Sequence, residues 1–298
     1  MRVFVTGASG LIGNRICRAL LERGDEIVAL SREERTSEID NLTWVRGDVT
    51  TLEQWESAVS GCDGVINLAG ASVAKRWTQR QKAHIIASRV GITTALYHAI
   101  AHASQPPAVL LNASAIGFYG THANTLHDET SPAGSGFLAT VCVEWEITAR
   151  RVETLGARVL LLRLGVVLAN DGGALPAMLR PLRAFTGGNL GDGKQWVSWI
   201  HIDDAVGEFL NALDNHSLRG AINLVAKEPV RQRDLINKAA RILGKPAWLD
   251  APAWALKILM GQMAKEMLLS GQHVVQAIPT GYELVYPDLD SALNALLT

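Results

Sequence analysis

A doubly wound parallel α/β sheet with a smaller carboxy-terminal lobe is the fold this sequence predicts, and three observations predict it. Short β-branched runs alternate with helically spaced apolar residues through the first half of the chain. The runs show little polar alternation, as expected of strands buried on both faces. A glycine-rich turn joins the first run to the first helical segment. Parallel strands need crossover helices, so a β-α-β rhythm this regular points to a parallel sheet.

Taken in order, residues 2–6 (RVFVT) read as a buried strand. Residues 11–23 follow as a helix, with Ile12, Ile16 and Leu20 at helical spacing and an exit near Gly24, a residue suited to a helix C-cap. Further strands are expected at 26–30, 42–46, 64–68, 108–113 and 158–164. The longest helix should run from about Thr78 to Ala103, with Pro106-Pro107 marking its exit. Beyond residue 165 the rhythm changes. Gly172-Gly173, Gly187-Gly188, Gly191 and Gly193 predict a loop-rich region. Helical patterns return at 203–213, 230–243, 254–269 and 291–297. Residues 1–165 are therefore read as a nucleotide-binding domain that takes later crossover segments from 200–225. Residues 166–298 are read as a mostly helical lobe closing one side of its crevice.

Composition narrows the function classes. The chain has 298 residues, 48% apolar, and a formal net charge of −1. No global field then draws it to nucleic acid or to an anionic membrane, and neither is expected as a partner. Cys17, Cys62 and Cys142 are too few and too scattered for a disulfide framework or a zinc site. The opening apolar run is too short for a signal peptide and no stretch is long enough for a membrane span, so a cytoplasmic setting is expected.

The chemistry-bearing motif is TGASGLIG, residues 6–13. It lies between a strand and a helix, where a dinucleotide motif belongs. Gly7 permits the tight turn, Gly10 admits a pyrophosphate close to the backbone, and Gly13 lets the helix pack on the strand. Free N–H groups and the positive dipole end of the helix then face the phosphates. Thr6, Leu11 and Ile12 complete the expected cradle. The alternative is a structural turn in an α/β fold that has lost its ligand. The second strand runs into Ser31-Arg32, where an NAD site usually places a carboxylate for the ribose 2′-OH. A guanidinium there suits a 2′-phosphate, which favours NADP(H), although Glu33 and Glu34 follow and could still turn toward a ribose. Asp48 is placed for the adenine end. Leu68-Ala69-Gly70 is placed for close backbone passage by the adenosine ribose and phosphates.

TGASGLIG, NLAG at residues 67–70 and a strand ending at Ser114 resemble the extended short-chain dehydrogenase/reductase superfamily, whose cofactor domain is a Rossmann fold. A narrower resemblance rests on RW (76–77), SRVGITTAL (88–96), SAIGFYG (114–120), FLATVCVEWE (137–146), LRLGVVL (162–168), WIHIDDAV (199–206) and a tail containing GYELVYPDL. These segments are similar to an atypical nucleoside-diphosphate-sugar epimerase-like branch with a carboxy-terminal domain of unknown function. The resemblance also implies a departure. Active superfamily members carry a Tyr-x-x-x-Lys pair, and the matching stretch here begins at Phe137 and ends at Val141. Neither residue can move a proton.

An oxidoreductase or epimerase reading then needs other groups. Ser114 could bind a substrate carbonyl or merely cap a loop, and Tyr119 could be a substitute acid or a packed tyrosine. His201 could be a second acid/base or a satisfied structural residue, and Asp203 is expected to cap the helix that follows. Arg89 lies mid-helix among apolar and small residues, so it needs an anion, for which a cofactor phosphate is the natural partner. Arg163, among leucines, raises the same question, with an internal pairing to Glu144 or Glu146 as its alternative. Trp145 and Trp199 read as buried anchors. His122 and His127, near Asp128 and Glu129, lie in a loop that fixes no ligand geometry, so no metal is expected. The expected ligands are NADP(H) and an unidentified small-molecule substrate, for a monomer or homodimer. The different-class alternative is a catalytically weak NADP(H)-binding regulatory or sensor protein.

Overall fold

The computed structural model describes residues 1–48, 51–121 and 125–298, so His122 lies outside the described residues. The strands are β1 (Arg2–Thr6), β2 (Glu26–Ser31), β3 (Leu42–Arg46), β4 (Gly64–Asn67), β5 (Val109–Ala115), β6 (Leu126–His127), β7 (Arg158–Leu164), β8 (Val166–Leu168), β9 (Trp196–Val197), β10 (Trp199–His201), β11 (Gly220–Leu224), β12 (Val230–Arg231) and β13 (His273–Val274). The helices are α1 (Leu11–Glu22), α2 (Leu52–Trp55), α3 (Gln79–His102), α4 (Phe137–Arg150), α5 (Ala174–Arg183), α6 (Ile202–Asp214), α7 (Gln232–Leu243), α8 (Ala253–Met260) and α9 (Leu289–Leu297). A single turn of π-helix spans Ala264–Leu268.

Seven strands form one parallel sheet in the order β11-β7-β5-β4-β1-β2-β3. The order reverses between β1 and β4, and the carboxyl ends of strands at such a switch point open a ligand crevice. Alternate residues of β1 feed two cores. Val3 and Val5 pack with Ile16 and Leu20 of α1 and Phe209 of α6. Phe4 packs on the other face with Trp55 and with Ile92, Leu96 and Ile100 of α3. A third core joins Leu175, Leu179 and Leu182 of α5 to Leu235 and Ile236 of α7 and Leu293 of α9. This is the core of the smaller lobe.

Several boundaries move for identifiable reasons. Thr78 caps α3 by accepting from the Gln81 N–H at 3.1 Å, so that helix starts one residue later than the pattern suggests. The cap of α6 is His201, whose Nδ1 accepts from the Asp203 N–H at 3.2 Å, which corrects the expectation that Asp203 is the cap. The apolar stretch expected as one helix over 254–269 breaks at Gly261, whose φ of +61° suits glycine. Residues 174–183, expected as loop, form α5. The edge strand β11 and helix α6 come from residues after 200 yet complete the main sheet.

Candidate functional site

The glycine turn has the geometry its spacing requires. Gly7 sits at φ +71°, and a Cβ there would stand 2.8 Å from the Leu68 carbonyl carbon. A Cβ on Gly13 would stand 2.2 Å from the Gly7 carbonyl oxygen. Gly7 and Gly13 are therefore fixed by packing, whereas Gly10 is exposed at the mouth of α1, at its N-cap, with no side-chain cap bond. The first-turn N–H groups, with Leu11 and Ile12 among them, have no capping side chain among the described residues, and no acidic residue occupies that turn. Such a terminus is complementary to an anion. Thr6 ties the two loops of the crevice together. Its Oγ1 accepts from the Leu68 and Ala69 N–H groups at 3.2 and 3.3 Å and donates to Asn67 Oδ1 at 2.6 Å.

Ser31 is buried at the end of β2, and Arg32 beside it is exposed, with no ion-pair partner among the described residues. Glu33, the residue that could have neutralised it, instead pairs with Arg35 at 3.4 Å. Asp48 lies just past β3, where its carbonyl accepts from Trp55 Nε1 at 2.8 Å. Arg89 lies against Gly70, where a Cβ would come within 3.0 Å of its Cζ. Its Nη1 donates to the Ala71 and Ile85 carbonyls at 3.0 and 3.3 Å, and the guanidinium stands 5.2 Å from the Trp145 ring centre. No carboxylate pairs with it among the described residues, and burial pulls its pKa below the arginine norm. It is a largely buried cation whose Nη2 is free of a protein partner among those residues. These residues could hold a diphosphate and a 2′-phosphate.

The residues considered for proton transfer are differently placed. Ser114, Tyr119 and Arg163 meet in one buried network. Arg163 grips Glu146 with Nε on Oε1 and Nη2 on Oε2, both at 2.8 Å. Its Nη1 donates to the Tyr119 hydroxyl at 2.9 Å, and its guanidinium stacks 3.5 Å from the Phe118 ring centre. Ser114 Oγ donates to Glu146 Oε1 at 2.6 Å, and the Tyr119 hydroxyl donates to Asn223 Oδ1 at 2.7 Å. Burial raises the Tyr119 pKa, partly offset by Arg163 and Asn223. Arg163, expected at a phosphate, is instead committed to Glu146: a buried guanidinium needs a counter-charge, and the bidentate contact supplies one with two hydrogen bonds. Tyr119, expected as a substitute acid, is wholly buried, and its hydroxyl hydrogen is engaged by Asn223 Oδ1. The Ser114 hydroxyl is likewise engaged, as a hydrogen-bond donor to the Glu146 carboxylate.

His201 belongs to another neighbourhood. It is 2% exposed, its Nδ1 is used by the helix cap, and its ring lies 3.8 Å from that of Tyr286. Burial lowers its pKa, against the opposing pull of Asp203 and Asp204, so the neutral ring is favoured. It serves the junction with the tail rather than the crevice mouth.

The stretch aligned with Tyr-x-x-x-Lys opens α4. Phe137 meets Trp77 edge-on at 4.9 Å, and Val141 joins Trp77, Ile85 and Met263 in an apolar cluster. The tail seals this corner. Glu266 accepts from the Phe137 N–H at 3.2 Å and the Leu138 N–H at 3.1 Å, capping a helix whose own N-cap, Gly136, has no side chain. Gln262 donates to Glu266 at 2.6 Å and accepts from Lys82 Nζ at 2.5 Å. Glu266 and Asn223 were not singled out from sequence, because both act on residues far away in the chain. Glu146, a carboxylate in an apolar helix, was the readable signal of a buried pair.

Another buried carboxylate, Glu208, lies on α6. Glu208 Oε1 accepts from Thr280 Oγ1 at 3.1 Å and from Gln276 Nε2 at 3.3 Å, while Oε2 has no hydrogen bond among the described residues. Burial raises its pKa, as does Asp204, while Thr280 and Gln276 oppose them. A carboxyl whose folded pKa is raised favours folding in its neutral form and loses that advantage as pH climbs through the folded value. Glu208→Gln is therefore expected to stabilise the protein at neutral pH by roughly 1 kcal/mol. The gain should shrink at acidic pH. Denaturant melts at both pH values check this.

Comparison with known proteins places these features. The pattern of the NAD dependent epimerase/dehydratase family matches residues 3–224, and a domain of unknown function (DUF1731) matches residues 251–296. The chain is similar to the chloroplastic epimerase family protein SDR39U1 homolog of Arabidopsis thaliana, with 40% identity over all of this chain and 87% of that one. It is 33% identical to epimerase family protein YfhF of Bacillus subtilis, over 100% of this chain and 98% of that protein. Among solved structures, human epimerase family protein SDR39U1 with NADPH superposes with a TM-score of 0.89 at 30% identity, over 100% of this chain and 99% of that one. UDP-glucuronic acid 4-epimerase from Bacillus cereus, at 18% identity and a TM-score of 0.79 over 100% of this chain and 98% of that one, shares the fold. With a Rossmann cradle, an epimerase pattern over most of its length and the additional tail domain, this chain belongs to the NAD dependent epimerase/dehydratase family.

Proposed function

We propose that this chain is an NADP(H)-binding protein of the epimerase fold that holds its nucleotide without a tyrosine–lysine proton relay. One contrast carries this reading: the glycine cradle is intact, while Phe137 and Val141 are packed into an apolar corner closed by the tail. When bound, the nicotinamide supplies or accepts hydride. The residues of this chain that fit the nucleotide are the α1 N-terminus with Gly7, Gly10 and Gly13, the Thr6-linked 68–70 loop, Arg89, and Ser31-Arg32. NADPH bound to the human relative SDR39U1 supports the same choice of nucleotide. A regulatory or sensing role accords with Phe137 and Val141, which offer no proton donor at the two matching positions; Lys82 Nζ, 5.2 Å from the Phe137 ring centre, is engaged by Gln262.

An epimerase- or reductase-like oxidoreductase is the second reading. It draws on the Ser114–Glu146 pair, in which a hydroxyl near the end of β5 is hydrogen-bonded to a carboxylate of α4. Following NADPH oxidation across a panel of carbonyl compounds and sugar nucleotides separates the two. Binding without turnover supports the sensor, and steady turnover that Ser114→Ala abolishes supports the enzyme.

The choice of nucleotide has its own test. Arg32→Ala is expected to weaken NADPH binding about ten-fold or more and to leave NADH nearly unchanged, because a charge-assisted contact is worth roughly 1.5–3 kcal/mol. The 8 tryptophans give a fluorescence readout for the titration. Equal losses for both nucleotides would remove Arg32 from the 2′-phosphate site.

A further inference from the structure

We propose that the outer face of the carboxy-terminal lobe, built on α8, docks on an anionic lipid surface. α8 has the sequence AWALKILM and buries none of its residues. Trp254, Ile258 and Leu259 are 68%, 69% and 65% exposed. Trp248, Leu249 and Phe185 stand exposed on the adjoining segments. The Trp248 and Leu249 N–H groups donate to the Gly187 carbonyl, Trp248 Nε1 donates to the Phe185 carbonyl, and Ala251 pairs with Asn189 and Gly191 directly before α8 begins. Six of the eleven large exposed apolar side chains among the described residues are thus gathered in one part of the lobe. Scattered apolar residues need no explanation, but a gathering of this kind marks an interaction surface.

Charge chooses the occupant. The whole chain is close to neutral, yet residues 180–194 and 241–266 carry Arg180, Arg183, Lys194, Arg241, Lys245, Lys257 and Lys265 against Asp192, Asp250 and Glu266, with Asp192 3.8 Å from Lys194 and Glu266 turned inward onto α4. Asp250 is itself engaged by the Asn189 N–H at 2.7 Å. A second copy of the chain would set these cations against their own kind. An anionic bilayer surface complements them, and indole rings with interleaved lysines suit the headgroup layer. Lys257 stands one helical turn from Trp254 and beside Ile258, and Lys245 Nζ lies 3.8 Å from the Phe185 ring centre, so both can reach outward from an apolar base. Among the described residues no helix is long and apolar enough to cross a membrane, so the contact is a peripheral one. The near-zero formal charge, which argues against a membrane partner when taken over the whole chain, conceals this local asymmetry.

The test floats the full chain with vesicles of phosphatidylcholine alone and of phosphatidylcholine doped with phosphatidylserine. Expected is partition onto the anionic vesicles only, released by high salt and accompanied by a blue shift of tryptophan emission. Trp254→Glu with Ile258→Glu should reduce partition by about ten-fold or more. Lys257→Gln should reduce it by roughly five-fold. Because these side chains face solvent, thermal unfolding of the variants should match that of the parent chain. Absence of partition, or partition that ignores these substitutions, overturns the proposal. So does a dimer in sedimentation equilibrium that the glutamate variant dissolves without lipid binding, since the face would then belong to a second copy.

Discussion

Glu146→Ala is expected to destabilise the fold by about 3–5 kcal/mol, enough to unfold much of the population of a marginally stable protein. The reason is what the substitution leaves behind. Arg163 is 4% exposed and its Nε and Nη2 both depend on Glu146. Remove the carboxylate and a guanidinium remains among leucines with no counter-charge, while Ser114 loses its acceptor. Urea melts followed by circular dichroism measure the loss. The double variant Glu146→Ala/Arg163→Met should recover a large part of it, because removing both charges also removes the desolvation cost of burying them. A double variant no better than the single one would show that the pair matters through shape rather than charge.

Gly13→Ala is expected to combine a stability loss of roughly 1–3 kcal/mol with a loss of NADPH binding. The added methyl would stand 2.2 Å from the Gly7 carbonyl oxygen, and that neighbour is backbone, so α1 must move off β1. Gly10→Ala makes the informative comparison. Its methyl would come no nearer than 3.1 Å to the same oxygen and points into an exposed mouth. Its stability cost should be smaller than that of Gly13→Ala while its binding loss is comparable. Paired thermal melts and NADPH titrations separate packing from phosphate approach. If Gly10→Ala bound NADPH normally, the phosphates would have to pass elsewhere.

Much of the central sheet was legible because local pattern and global fold agree there. β1, β3 and β7 begin and end where the sequence pattern places them: β1 is a short apolar run buried along most of its length, β7 a leucine run interrupted only by Arg163, and β3 a half-exposed edge strand marked by its β-branched and aromatic residues. Gly7, Gly10 and Gly13 were legible because the steric demand on each is local. The networks were not legible. Nothing near Tyr119 indicates that its hydroxyl meets Asn223, 104 residues away, and nothing near Phe137 indicates that Glu266 caps its helix from 129 residues away. Such pairings are products of chain topology, which side-chain spacing does not encode. The break at Gly261 is hidden for the opposite reason: apolar composition on both sides favours a continuous helix, and a single residue with left-handed φ ends it.

The carboxylate of Glu266 at the start of α4 ties the two matched regions into one mechanical object. β13 lies beside β6, Asp204 accepts from the Val285 and Tyr286 N–H groups, and Arg15 of α1 reaches Asp171 in the other lobe. A protein stitched in this way should melt in one transition rather than two. Cleaving away the last fifty residues would strip the amino terminus of α4 bare, and transplanting that tail between relatives would carry part of another helix's electrostatics with it.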